Sequence, residues 1–125
     1  MENKMNIYYI RNQKQVMEMS MEAIYPKELD GYINDGRIMI IDLRDREEYK
    51  EKHIKGAYNI PYETNAVKLF QLTKARTYIL YCERGTTSFK AAREMSNKGY
   101  KVMSLMNGIS MYKGKYLVVK NEKYY

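Results

Sequence analysis

The chain has 125 residues, of which 45% are hydrophobic, enough for the core of one domain but not of two. Charged residues make up 30%, so a disordered chain is excluded, and no apolar run is long enough to span a membrane. The net charge is +7, and residues 63–125 carry all of the excess. No base-reading motif accompanies the scattered Lys and Arg residues, so we expect no nucleic-acid binding.

The cysteine content also limits the class of protein. One cysteine, Cys82, cannot form an internal disulfide. Met1–Ile10 shows neither an extended apolar region nor a cleavage site for a secretory signal. We therefore expect one cytoplasmic domain over residues 1–125, with no membrane segment. The sequence offers no cofactor motif or metal-ligand set, and its 10 dispersed methionines are typical of core filling.

The predicted elements of the first half alternate between strand and helix. Met5–Ile10 has the character of a strand near the chain end. Pro26 is placed to begin a helix that ends near Gly36. Ile38–Ile41 is a continuous apolar run, which is typical of a strand buried on both faces. Asp45–Lys52 predicts a charged helix, because its acids come early and its lysines late.

The second half continues the alternation. Residues 57–60 predict a short strand, and Tyr78–Tyr81 is a second continuous apolar run. A helix is predicted just after it, with hydroxyl groups from residues 86–88 as N-caps and Gly99 as its C-terminal stop. Another apolar strand follows at residues 102–106.

The last predicted strand is Tyr116–Lys120. We expect it and Met5–Ile10 to pair with each other or with a sheet edge. Repeated strand–helix–strand units indicate a three-layer α/β/α domain with a central, mainly parallel sheet and extra strands at the chain ends.

The position of Cys82 predicts a functional site. Ligands of open α/β sheets bind beyond the carboxyl ends of the strands, and Cys82 follows a predicted buried strand. A short loop before a helix can turn its amides inward and hold an anion. A thiolate held there could attack a sulfur, phosphorus or arsenic centre. We predict Cys82 as the catalytic residue, and as its substrate-binding residues Glu83, Arg84, Gly85, Thr86, Thr87 and Ser88.

Three other polar residues are interpreted as structural support. Asp42 ends a buried strand, where a carboxylate needs partners. We expect it to support the loop Cys82–Thr87, which we call the active loop. Arg44 is expected to pair with Glu47 or Glu48. His53 is interpreted as a hydrogen-bonded structural histidine, although a cysteine–histidine dyad stays open as an alternative.

Three motifs stand in a fixed order along the chain. They are Ile41–Arg44 with Glu48-Tyr49 and His53–Pro61, then Tyr81–Ser88 with Ala91-Ala92, and last Leu105–Tyr112. Their order and spacing resemble those of single-domain rhodanese (thiosulfate sulfurtransferase-like) domains over about residues 25–112. The resemblance implies a rhodanese-like fold and a persulfide mechanism. In it, Cys82 takes sulfur from a small anionic donor such as thiosulfate and passes it to a thiol or to cyanide.

Alternatives to this enzyme activity stay open. One is a rhodanese-like module that carries sulfur or binds a protein without turnover, with a protein as sulfur donor or acceptor. A phosphatase or arsenate reductase is disfavoured, because the loop Cys82–Thr87 is one residue shorter than in related phosphatases.

The chain also departs from the family pattern. Asn107 stands where the first of two glycines is usual, and Tyr112 where a tryptophan is common. Glu83 places a carboxylate beside the nucleophile, and its negative charge disfavours the approach of a dianionic substrate. We expect Arg84, with Lys90 and Arg93, to offset this charge.

Overall fold

A computed structural model describes residues 4–6 and 21–120 of the chain. Its strands are β1 (Lys4–Asn6), β2 (Glu22–Ile24), β3 (Ile38–Asp42), β4 (Lys52–Ile54), β5 (Tyr58–Asn59), β6 (Thr77–Tyr81), β7 (Lys101–Leu105) and β8 (Leu117–Val119). Its α-helices are α1 (Arg46–Glu51), α2 (Tyr62–Asn65) and α3 (Thr86–Asn97). Three 3-10 helices cover Pro26–Gly31, Ala66–Gln71 and Ile109–Met111.

The central sheet has the strand order β1-β2-β7-β6-β3-β5. All neighbouring pairs are parallel except β1 with β2. In register, Ile79 of β6 lies between Ile40 of β3 and Met103 of β7. The mainly parallel α/β architecture expected from the sequence is confirmed.

Strand β6 shows why its apolar residues do not alternate with polar ones. Tyr78 and Leu80 join a core cluster on the α3 side of the sheet, together with Met95. Ile79 and Tyr81 join the cluster on the opposite face. Because both faces of the strand are covered, a continuous apolar run is what its position requires.

The segment that begins at Pro26 is shorter than predicted and of a different type. It is a 3-10 helix that ends at Gly31, not a helix that continues to Gly36. The amide of Tyr32 donates to Leu29 O, and the amide of Asp35 donates to Tyr32 O. These bonds span three residues, so the chain continues as tight turns instead of α-helix.

The predicted hydroxyl N-cap of α3 is wrong, whereas the predicted C-terminal stop is confirmed. The N-cap is Gly85, in the left-handed region at φ 100°, and no side chain caps the helix. The Ser88 hydroxyl donates to Gly85 O at 3.3 Å instead of to a helix amide. At the other end, Gly99 has φ 96° and closes the helix through Ser96 O.

The strands near the chain ends do not pair with each other. β1 pairs with β2 at an edge of the central sheet; residues 7–10 of the predicted first strand lie outside the described residues. β8 pairs antiparallel with β4 in a separate two-stranded sheet. No helix within residues 4–6 and 21–120 is long and apolar enough to cross a membrane.

Candidate active site

Cys82 directly follows β6, which lies between β7 and β3 in the sheet. Its side chain is buried, with 6% of the residue exposed. The loop after it turns at Gly85, and α3 then begins at Thr86. The first amides of a helix have no carbonyl partner within the helix, so their partial positive charge lies next to the sulfur.

Two backbone amides and one hydroxyl surround the Cys82 sulfur. Gly85 N donates to Sγ at 3.1 Å, and Ser88 N donates at 3.3 Å. The thiol lies 3.6 Å from Ser88 Oγ, to which it can donate. Amide donors aimed at one atom stabilise negative charge on it, so this geometry suits a thiolate or a persulfide anion.

Ser104, which the sequence did not indicate as a site residue, contacts Ser88 beside the Cys82 sulfur. Ser104, buried in β7, places its Oγ 2.9 Å from Ser88 Oγ. The contact joins two residues on different elements, 16 positions apart in the chain. No local pattern around a serine in an apolar strand could have revealed it.

The segment that follows β7 holds the active loop through backbone hydrogen bonds. Ile109 N donates to Cys82 O at 3.0 Å, and Ser110 N donates to Glu83 O at 3.1 Å. Gly108 has φ 66°, and a Cβ there would collide with Glu83 O. Asn107 also takes a left-handed conformation, at φ 63°, so this departure from the family pattern keeps a backbone shape that asparagine tolerates.

Arg44 connects Asp42 to the active loop, and its predicted pairing with Glu47 or Glu48 is wrong. Its Nη2 lies 2.8 Å from Asp42 Oδ2, and its Nη1 lies 3.3 Å from Glu83 Oε1. The Arg44 and Asp42 side chains are 4% and 0% exposed. Burial alone would lower the pKa of the Arg44 guanidinium, but the hydrogen bonds and charge of Asp42 raise that pKa above its ordinary value.

Cys82 lines a cavity of about 370 Å³, which we call the Cys82 cavity. It is lined by Leu43, Arg44, Asp45, Glu48, Tyr62, Glu63, Cys82, Glu83, Arg84, Thr86 and Thr87. Of the predicted substrate-binding residues, Glu83, Arg84, Thr86 and Thr87 thus line the cavity. Gly85 and Ser88 instead contact the sulfur through their amides.

His53 lies on β4 and is absent from the lining of the Cys82 cavity. Its Nδ1 is 2.8 Å from Tyr49 O, and its ring stacks on that of Tyr49 with the centroids 3.9 Å apart. These contacts are those of a packed, hydrogen-bonded side chain. Among the described residues, no three His, Cys, Asp or Glu side chains form a group that could hold a metal ion.

Cys82 thus lies at the carboxyl end of a central parallel strand, the edge at which open α/β sheets bind their ligands. The sequence model of the rhodanese-like domain matches residues 25–115. The chain belongs to the rhodanese-like domain family.

Individual proteins agree with this assignment. The chain is 35% identical over 89 residues to a tRNA sulfurtransferase of Desulfurococcus amylolyticus, covering 71% of the chain and 17% of that protein. It is 30% identical over 105 residues to a putative sulfur carrier protein of Bacillus subtilis, covering 83% of the chain and 55% of that protein. The chain thus spans about a sixth and about half of these relatives.

A solved structure shows the same fold. The structure of the BH2092 protein from Bacillus halodurans superposes with a TM-score of 0.61 at 29% identity. The match covers 82% of this chain and 76% of that one.

Proposed function

We propose that the chain is a sulfurtransferase that carries a sulfane sulfur as a persulfide on Cys82. The observation that carries the proposal is the pair of amides, Gly85 N and Ser88 N, within 3.3 Å of the Cys82 sulfur. Similarity to proteins named sulfurtransferase and sulfur carrier supports the same chemistry. Thiosulfate is the simplest donor, and a thiol or cyanide is the acceptor.

The reaction proceeds in two balanced displacements. In the first, the Cys82 thiolate attacks the outer sulfur of thiosulfate, the sulfur–sulfur bond of the donor breaks, and sulfite leaves with the electron pair. In the second, an acceptor thiolate or cyanide attacks the outer sulfur of the persulfide and Cys82 leaves as the thiolate. The amides of Gly85 and Ser88 hold the negative charge at both stages.

Mass spectrometry of the intact protein tests this function. We expect incubation with thiosulfate or an organic persulfide to add the mass of one sulfur atom, and a thiol or cyanide to remove it. Because Cys82 is the chain's one cysteine, Cys82→Ser should accept no sulfur. Failure of every donor to load the wild type, or equal loading of Cys82→Ser, would contradict the proposal.

A sulfur carrier loaded by a protein is the second candidate. With one cysteine, the chain cannot resolve its persulfide as an internal disulfide, so an external nucleophile must complete each cycle. Loading by a persulfide-bearing protein, with very slow turnover of small donors and acceptors, would favour this candidate over the enzyme.

A further inference from the structure

We propose that Glu83 determines donor specificity, selecting organic persulfides with a positive charge near the sulfane sulfur over dianionic thiosulfate. This inference rests on the proposed sulfur transfer at Cys82. It narrows the donor to the class R–S–SH in which R is cationic.

The Glu83 carboxylate is held at the wall of the Cys82 cavity. Ser110 N fixes its backbone carbonyl, and Arg44 Nη1 lies 3.3 Å from its Oε1. The Glu83 side chain is 43% exposed and lines the Cys82 cavity.

Arg44 does not cancel this charge. Its guanidinium donates to both carboxylate oxygens of Asp42, at 3.1 Å and 2.8 Å, and to Lys52 O at 2.6 Å. Three charged groups are therefore joined, two carboxylates and one guanidinium. The network of Asp42, Arg44 and Glu83 keeps one net negative charge, and Glu83 is its exposed end.

The other charged residues that line the cavity are mostly acidic. Asp45, Glu48 and Glu63 are three more acidic residues of the lining, and Arg84 is one more basic residue. The cavity is thus lined by an excess of acids, although the whole chain carries +7. A dianion that enters must approach these carboxylates, whereas a cation is attracted by them.

Of the three basic residues expected to offset Glu83, Arg84 lines this cavity, whereas Lys90 and Arg93 do not. Lys90 Nζ instead lies 5.8 Å from the centroid of the Tyr62 ring. Arg93 is also absent from the lining. Lys90 and Arg93 thus lie outside the cavity wall that Glu83 helps to form.

Sulfur transfer from an organic persulfide to Cys82 is a single displacement at the outer sulfur. The Cys82 thiolate attacks the outer sulfur of R–S–SH, and a new sulfur–sulfur bond forms. The donor's sulfur–sulfur bond breaks, R–S⁻ leaves with its electron pair, and the proton stays on the transferred sulfur. No oxidant or reductant is consumed. A cationic R group can lie against the carboxylates while its sulfur reaches Cys82.

The test compares rates of sulfur loading in wild type and Glu83→Gln. The donors are thiosulfate and cysteamine persulfide, and a persulfidated cysteine peptide flanked by lysines represents a protein source. The measured quantity is the thiosulfate rate divided by the rate with each cationic donor. We expect Glu83→Gln to raise this ratio by about tenfold, since it removes a charge a few ångströms from a dianion. High salt should shrink the effect.

The matched control is Glu47→Gln, which removes an exposed carboxylate outside the cavity and should leave the ratio unchanged. Glu63→Gln, on the α2 wall, should shift the ratio in the same direction as Glu83→Gln, and it provides the test if Glu83→Gln fails to fold.

Different results would overturn the specificity of Glu83 and the proposed sulfur transfer at Cys82. The specificity proposal would be overturned, with sulfur transfer left standing, if a folded Glu83→Gln left the ratio unchanged. If Glu83→Gln does not fold, an unchanged ratio in Glu63→Gln would overturn it. Failure of all donors to load wild-type Cys82 would overturn the proposed function itself. Loading by the peptide but not by cysteamine persulfide would support a cationic protein donor over a small molecule.

Discussion

The hydroxyl oxygens of Ser88 and Ser104 lie 2.9 Å apart, and the Ser88 hydroxyl also contacts the Cys82 sulfur. Both residues are buried; Ser88 belongs to the first turn of α3 and Ser104 to β7. The contact therefore joins the helix that holds the thiol to the neighbouring strand. It also fixes the Ser88 hydroxyl, whose oxygen lies 3.6 Å from Sγ.

Replacing Ser104 by alanine should weaken both stability and sulfur loading. We expect Ser104→Ala to lower the free energy of unfolding by about 1 kcal/mol, the usual net value of one hydrogen bond. Loading of Cys82 should slow by a few-fold, because the Ser88 hydroxyl loses one of its partners. Denaturant unfolding and intact-mass kinetics measure the two effects.

A double-mutant cycle is the control for this prediction. Ser88→Ala combined with Ser104→Ala should cost less than the sum of the single changes, since both remove the same contact. Strict additivity would show that the two serines act independently and would contradict the role assigned to the pair.

Substitution of Gly85 should disturb the active loop strongly. Its φ is 100°, and a Cβ there would lie 2.9 Å from Asn107 N. We expect Gly85→Ala to cost at least about 1–2 kcal/mol from the left-handed conformation alone. Because Gly85 N donates to the Cys82 sulfur, loading should slow by about tenfold or more.

Gly36 offers the matched comparison, since nothing lies within 4 Å of a Cβ built there. Gly36→Ala should change stability by about 0.5 kcal/mol or less and leave loading rates unaltered. Equal effects of the two substitutions would indicate a general cost of removing glycine, not a loop-specific one.

The buried Asp42–Arg44 pair should be costly to break from one side. Asp42→Asn leaves the buried Arg44 guanidinium with only its longer contact to the half-exposed Glu83 carboxylate, so we expect a loss of about 3–5 kcal/mol in the free energy of unfolding. Asp35→Asn removes an exposed ion pair with Arg37 and should have much less effect. Denaturant midpoints that moved equally for both variants would contradict this account.

Local patterns predicted the parts of the fold that depend on local physics. The apolar run of β6 indicated a strand buried on both faces, and the loop after it placed Cys82 at the N-terminus of α3. Both are confirmed, because burial on two faces and the start of a helix are visible within about ten residues of sequence.

The contacts that join distant segments were not predictable in this way. Arg44 pairs with Glu83, 39 residues away, in place of its near neighbours on α1. Ser104 reaches Ser88 only because β7 is parallel to β6 and packs against α3. Which strands lie side by side decides such contacts, and a serine or arginine looks the same in sequence with or without them.

Tyr112 stands where tryptophan is common in the family. Its hydroxyl donates to Asp30 Oδ1 at 2.5 Å and accepts from Tyr116 N at 3.0 Å. Burial and the neighbouring Asp30 carboxylate raise the pKa of Tyr112 to about 12. An unfolded tyrosine has a pKa of about 10.

This difference fixes the sign of a pH effect. The folded state holds the Tyr112 proton more tightly, so its contribution to stability is fully present below about pH 10 and is lost as the pH rises to about 12. Other buried tyrosines add to the same trend; burial also raises the pKa of Tyr81. Tyr112→Phe should therefore be less stable at pH 8 but lose less further stability between pH 10 and 12. Urea unfolding across that range measures the slope, and parallel curves for wild type and Tyr112→Phe would contradict the prediction.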